Sequence, residues 1–206
     1  MIPELAKLMD MCSVFSCKLD TLVREDLPSQ SGIYSEVQIR RIAPFRMASY
    51  TIVSPNPEND ANGYMQRWAD SSGLKAAYPN ANLIGWDFPF VTQEQQHRFG
   101  LHGYVAAYAL PEGFETDCPG VQYSENEEAD YAVITVTDPF AQSFERIPNA
   151  YKKILEYMQA NNLAERHREH VISCFEYVYT DRGITYMDVH VHAEGAAKPD
   201  AFSRFN

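Results

Sequence analysis

Apolar residues recur along this chain with two periods, three-to-four and two, and the switches between them lay out the elements. Leu5, Leu8, Met9, Cys12, Phe15, Leu19, Leu22 and Val23 fall on one helical face, which predicts a helix over 4–26 that Pro28, Ser29, Ser31 and Gly32 end. Val37–Ile42 and Phe45–Val53 read as strands split at Pro44, followed by a turn-rich stretch from Ser54 to Gly63. A helix over about 60–72 presents Tyr64, Met65 and Trp68 and stops near Gly73. Asn82–Trp86 and Arg98–Leu110 are the next two strands, the second carrying Phe99, Leu101, Tyr104, Val105 and Tyr108. After Pro111, Gly113, Pro119 and Gly120, Val121–Tyr123 pairs weakly and Asp130–Thr137 forms a clear strand. Pro148 suits the first turn of a helix whose stripe is Tyr151, Ile154, Leu155 and Met158. Ile172–Tyr179 and Ile184–His192 then form a hairpin through Asp181-Arg182-Gly183.

Strand, helix, strand, strand therefore occurs twice, over 36–110 and 121–193, as a repetition of pattern without residue-level repeats. Two helices on one side of antiparallel strands make an α+β arrangement, with a cleft between the halves as the natural binding place. Residues 1–35 stand ahead of this domain as a helical extension, and 194–206 form a loose tail. The leading helix either packs on the domain or pairs with a second copy into a homodimer; at roughly three heptads it sits at the lower edge for a coiled coil.

Composition narrows the function classes. Hydrophobic residues make up 45% and charged residues 22%, an ordinary globular balance, and the thirteen Tyr and eleven Phe can line a pocket as well as a core. A formal net charge of −11 argues against direct DNA binding, which needs a basic surface. Cys12, Cys17, Cys118 and Cys174 form no CxxC pair, and no membrane span, no signal peptide and a cytoplasmic location are expected.

The chemistry concentrates on Ile172–Tyr179. Alternation puts Cys174, Glu176 and Val178 on one face and Phe175, Tyr177 and Tyr179 on the other, so Glu176 is a carboxylate inside an apolar strand. Such a group raises its pKa or finds a partner, and it marks a site or a structural bond. Trp86, Trp68 and Tyr131 divide between pocket walls and plain packing. His190 and His192 share a face with Asp188 and Glu194, which reads as a solvated hairpin face rather than a metal site. No metal and no cofactor are expected, and Cys174 has no base nearby in sequence to activate it.

Cys174-Phe175-Glu176-Tyr177-Val178-Tyr179, the Gly183 turn and Tyr186-Met187-Asp188-Val189-His190-Val191, together with Asp130–Ile134 and the internal doubling, resemble the GyrI-like effector-binding family over about 36–193. The resemblance implies a duplicated β-α-β-β (tandem SHS2-like) sheet around a central cleft, in a free-standing member. It implies a small-molecule ligand, amphipathic and cationic or flat and aromatic, bound for multidrug sensing or sequestration, with Glu176 meeting the cation. Trp86, Tyr131, Phe99, Tyr108, Trp68 and Cys174 are the further ligand-binding candidates. One alternative it implies is a hydrolase of cyclopropane-containing alkylating compounds, with Glu176 as acid/base helped by Tyr131 and Tyr186. Another is a protein-interaction module acting on a topoisomerase or regulator. Lys7, Lys18 and Arg24 are the only bases in 1–35, too few for the basic DNA reader that precedes this domain in the family's regulators.

Overall fold

The computed structural model describes residues 32–195 and the backbone of residues 201–203. The helix expected over 4–26, and the homodimer it would make, lie outside the described residues. In chain order the elements are β1 (Gln38–Ile42), β2 (Phe45–Ser54), α1 (Pro57–Ser71), α2 (Leu74–Ala77), β3 (Leu83–Asp87), α3 (Gln93–Phe99), β4 (His102–Ala109), β5 (Gln122–Asn126), β6 (Ala129–Thr137), α4 (Ser143–Ala160), β7 (Cys174–Asp181), β8 (Ile184–His192) and β9 (Ala201–Ser203). The strands form one sheet in the order β5-β2-β4-β3-β7-β8-β6-β1-β9. Every pairing is antiparallel except β1 with β9, through which residues 201–203 extend the sheet edge.

Local sequence accounts for the boundaries. Pro57 opens α1 where its missing N–H costs nothing, and Gly73 (φ 82) follows its end. Arg182 (φ 49) and Gly183 (φ 81) supply the two left-handed residues of a tight hairpin turn between Asp181 and Ile184. The strand expected from Arg98 is shorter, because Thr92 and Gln95 form a capping box and Gly100 (φ 62) closes the helix that takes residues 93–99. α4 also starts earlier than expected, leaving Pro148 inside it. The carbonyl that this proline leaves without an amide belongs to Phe144, whose side chain is 99% exposed, so water reaches that turn.

The two long helices, α1 and α4, lie on one face of the sheet. α1 packs on β2 and β4, burying Met65, Trp68 and Ala69 against Ala48, Ala106 and Tyr108. α4 packs on β6 and β8, burying Ile154 and Met158 against Ile134, Val136, Met187 and Val189. The opposite face gathers Phe45 and Met47 of β2 with Tyr131 and Val133 of β6 and Phe175 of β7 in one core. Strands far apart in sheet order share that core, so the sheet curls around it.

This curl overturns the solvated reading of the β8 polar face. Asp188, His190 and His192 are buried, at 7%, 1% and 1% exposure, on the enclosed side. Asp188 accepts from Arg40 Nη1 (2.9 Å) and Thr135 Oγ1 (2.6 Å). The His190 ring stacks on Phe175 at 4.2 Å, and burial lowers its pKa to about 4.

Entry into β7 is fixed by Asn126, which is wholly buried. Its Oδ1 accepts from the Ile172 N–H (2.8 Å), and Nδ2 donates to the Glu127 carbonyl (3.0 Å). Replacing Asn126 with Ala orphans a backbone donor at the start of this strand. The change should cost roughly 1–3 kcal/mol in urea unfolding; a shift below about 0.5 kcal/mol, the surface-substitution scale, would contradict this role.

Candidate functional site

β3 and β7 occupy the middle of the sheet, between the strands that α1 covers and those that α4 covers. On the helix side their face is the floor of a groove with α1 on one bank and α4 on the other. Register places the floor residues. Glu176 stands opposite Gly85 on one side and Val189 on the other. Asp87 stands opposite Tyr104, and Gly85 opposite Ala106. Directly paired residues share a face, as do residues two apart. Glu176, Cys174, Val178, Gly85, Asp87 and Tyr104 therefore all face the groove.

Glu176 is half-buried on this floor. Its Oε1 accepts a hydrogen bond from the Tyr151 hydroxyl of α4, at 3.0 Å. Burial pushes its pKa up to about 7; the Tyr151 bond works against that rise, and the nearby Asp87 and Glu58 carboxylates add to it. Both phenols beside it are held above the ordinary tyrosine range, first by burial and then by the charge of Glu176. Burial also raises the Cys174 thiol to about 11, with Glu165, Glu176 and Asp87 adding to the shift, so it is a poor nucleophile near neutral pH.

Gly85 is required by this arrangement. A Cβ there would collide with the Tyr104 hydroxyl, so the missing side chain is what lets the phenol of β4 lie over β3 beside Glu176. The groove thus offers a carboxyl poised between its charged and neutral forms, a phenol bonded to it from the α4 bank, a second phenol reaching in from β4, and two more carboxylates. Such a set can hold a cation or move a proton.

The other sequence candidates lie elsewhere. Tyr131 is on the opposite sheet face, fully buried, and donates to the Ile172 carbonyl at 3.0 Å. Trp86 packs against that same far-side core, and Tyr186 stands opposite Tyr179 and Thr137 on that side. Alternation is the reason: each is an odd number of positions, along a strand or across its ladder, from the face of Glu176. Trp68 and Tyr108 are core residues under α1, the indole donating to the Cys118 carbonyl at 3.3 Å. Phe99 ends α3 and is 57% exposed. Of the side chains first singled out, Cys174 alone shares the groove with Glu176.

Sequence reasoning missed Tyr151, Asp87 and Glu58, and it left Tyr104 unseparated from its strand. Tyr151 hid in the stripe of α4, although a phenol on a buried stripe needs a partner. Asp87 carried a signal too, closing a strand two residues beyond a glycine. Cavities outside the groove include one of about 500 Å³ lined by Phe45, Arg46, Leu110, Glu125 and Glu128, and it holds no residue of the Glu176 cluster. Among the described residues, no group of three or more His, Cys, Asp or Glu is placed to hold a metal, and no helix is long and apolar enough to cross a membrane.

A family model described as the GyrI-like small molecule binding domain matches residues 35–183. No curated protein matches the chain by sequence. Among solved structures, the EcmrR–DNA complex in EcmrR-RPo is 11% identical with a TM-score of 0.57, over 93% of this chain and 68% of that one. The EcmrR C-terminal domain is 10% identical at 0.51, over 79% and 99%. A hydrolase from Listeria innocua is 7% identical at 0.51, over 85% and 98%. At such identities the likeness is one of fold.

Raising a carboxyl's pKa on folding means that the folded chain prefers it neutral. The stability tied to Glu176 is therefore fully present below its ordinary value of 4.5 and is lost as pH rises through about 7. Glu176→Gln cannot ionise. It should outlast the wild type in thermal or urea unfolding at about pH 8, by roughly 1–2 kcal/mol after allowing for partial exposure, and the gap should close toward about pH 4. A gap that does not change with pH would contradict the shift.

Proposed function

The chain belongs to the GyrI-like small molecule binding domain family, and on that premise we propose that it binds flat or amphipathic organic cations in the groove between α1 and α4, with Glu176 as the counter-charge. The carrying observation is the carboxyl itself: half-buried on the sheet floor, hydrogen-bonded by Tyr151, and with no ion pair to any basic side chain among the described residues. A bound cation would supply the missing positive charge and draw the carboxyl fully into its ionised form. The Tyr151 and Tyr104 rings add cation–π attraction of roughly 0.5–2 kcal/mol each. Val178, 40% exposed two residues from Glu176, offers apolar surface for the greasy body of such a ligand. Sensing and sequestration of multiple drugs would both follow from this single binding act, and the fold likeness to the EcmrR C-terminal domain is compatible with either.

A second reading is favoured by one observation. A carboxyl with a pKa near 7 between two phenols is suited to proton transfer at neutral pH. On this reading the chain hydrolyses a strained alkylating ring. Water adds its oxygen to one ring carbon, and a proton relayed by Glu176 goes to the other end of the opened system. Incubation with a cyclopropane-bearing alkylator decides this reading: a hydrated product lost in Glu176→Gln supports it, and turnover at the buffer rate retires it.

Fluorescence titration with acridine orange, a flat monocation, tests binding. Affinity should rise as pH is taken from about 6 to 8, following ionisation of Glu176. Glu176→Gln should weaken it at least tenfold, about 1.4 kcal/mol, and flatten its pH dependence. Unchanged affinity in the variant would contradict the assignment.

A further inference from the structure

The groove carries more negative charge than one cation answers. Glu176 is joined there by Asp87 at the end of β3 and by Glu58 in the first turn of α1, and each is close enough to raise the pKa of a neighbour. Among the described residues, neither Asp87 nor Glu58 makes a salt bridge or a side-chain hydrogen bond. Tyr104 feels the charge of all three. Tyr104 is only 8% exposed, and its hydroxyl reaches over Gly85, on the groove floor. Among the described residues that hydroxyl has no hydrogen-bond partner. The hydroxyl is the uncovered tip of an otherwise buried side chain, so it is open to a polar group of a ligand.

Register sets the spacing. Glu176 pairs with Gly85, and Asp87 is two residues further along β3, so the two acids are diagonal neighbours across the ladder, about 7–8 Å apart at the backbone. Once Glu176 is ionised both ends present acceptors only, and a phenol between them can accept as well as donate. A quaternary ammonium has no N–H to give these groups; a protonated primary or secondary amine has two or three.

Resting on the reading of the groove as a cation site, we propose that its ligands carry two protonated nitrogens joined by a linear spacer of about five methylenes, the length that bridges the diagonal. One nitrogen sits at Glu176, and the other at Asp87 and Glu58, with the Tyr104 hydroxyl accepting an N–H.

Isothermal titration of the full chain with pentylamine and with pentamethylenediamine tests the proposal. The diamine should bind at least tenfold tighter than the monoamine. Asp87→Asn should abolish that advantage, so that the variant binds the two amines alike. Tyr104→Phe should reduce diamine affinity several-fold without lowering the unfolding temperature, since the hydroxyl makes no internal bond to lose. Equal affinity for the two amines in the wild type, no binding of either, or an advantage that survives Asp87→Asn would each overturn it. Acridine orange separates the two claims. If the dye still depends on Glu176 while the diamine shows no preference, the second nitrogen is wrong and the cation site stands; if the dye is indifferent to Glu176→Gln, the cation site itself fails.

Discussion

A carboxyl held at the centre of a sheet, between two helices that leave it uncovered, is the constraint on which the rest of this molecule turns. Burial alone would expel the charge of Glu176 or neutralise it. The chain settles between these outcomes: the Tyr151 hydroxyl bonds one oxygen, while Asp87 and Glu58 discourage ionisation from the open side. The result is a group that changes charge near neutral pH and whose state is set by whatever enters the groove. Stability is sacrificed for this at high pH, as expected where a polar group is retained for function rather than for folding.

The division of labour between the two sheet faces makes this possible. The curled side is closed and dense, with Tyr131, Phe175, His190 and the Asp188–Arg40 pair packed within it. It supplies the rigidity that a groove on the other side needs. The helix side is deliberately incomplete: α1 and α4 cover the outer strands, and β3 and β7 keep their floor open. Gly85 extends the same logic to a single position, since its missing side chain is the space into which Tyr104 reaches.

Much of this was legible in the chain. Two-residue alternation fixed the strands of the central hairpin, put Glu176 on a different face from Phe175 and Tyr177, and marked the carboxyl as the group to watch. Three-to-four periodicity found both covering helices. What alternation along one strand does not reveal is which face of a distant strand joins it, and that is why Trp86, Tyr131 and Tyr186 were grouped with Glu176 although they lie on the far side. Polarity misled in the same way at His190 and His192: on a flat sheet their face would be wet, and only the closure of the sheet on itself buries it. Tyr151, Asp87 and Glu58 reach the site through tertiary placement, each from a different element, and nothing local to any of them names Glu176 as its neighbour.

The central claim concerns one ionisation, and it can be watched directly. Carbon-13 NMR titration of the Glu176 side-chain carboxyl, with Glu176→Gln to assign the resonance, reads its pKa in the free chain and with a saturating organic cation. The expected midpoint lies near 7 in the free chain and falls by at least one unit when the cation is bound, because the ligand favours the charged form. A midpoint near the ordinary 4.5 in the free chain, or one that the cation leaves in place, would contradict it.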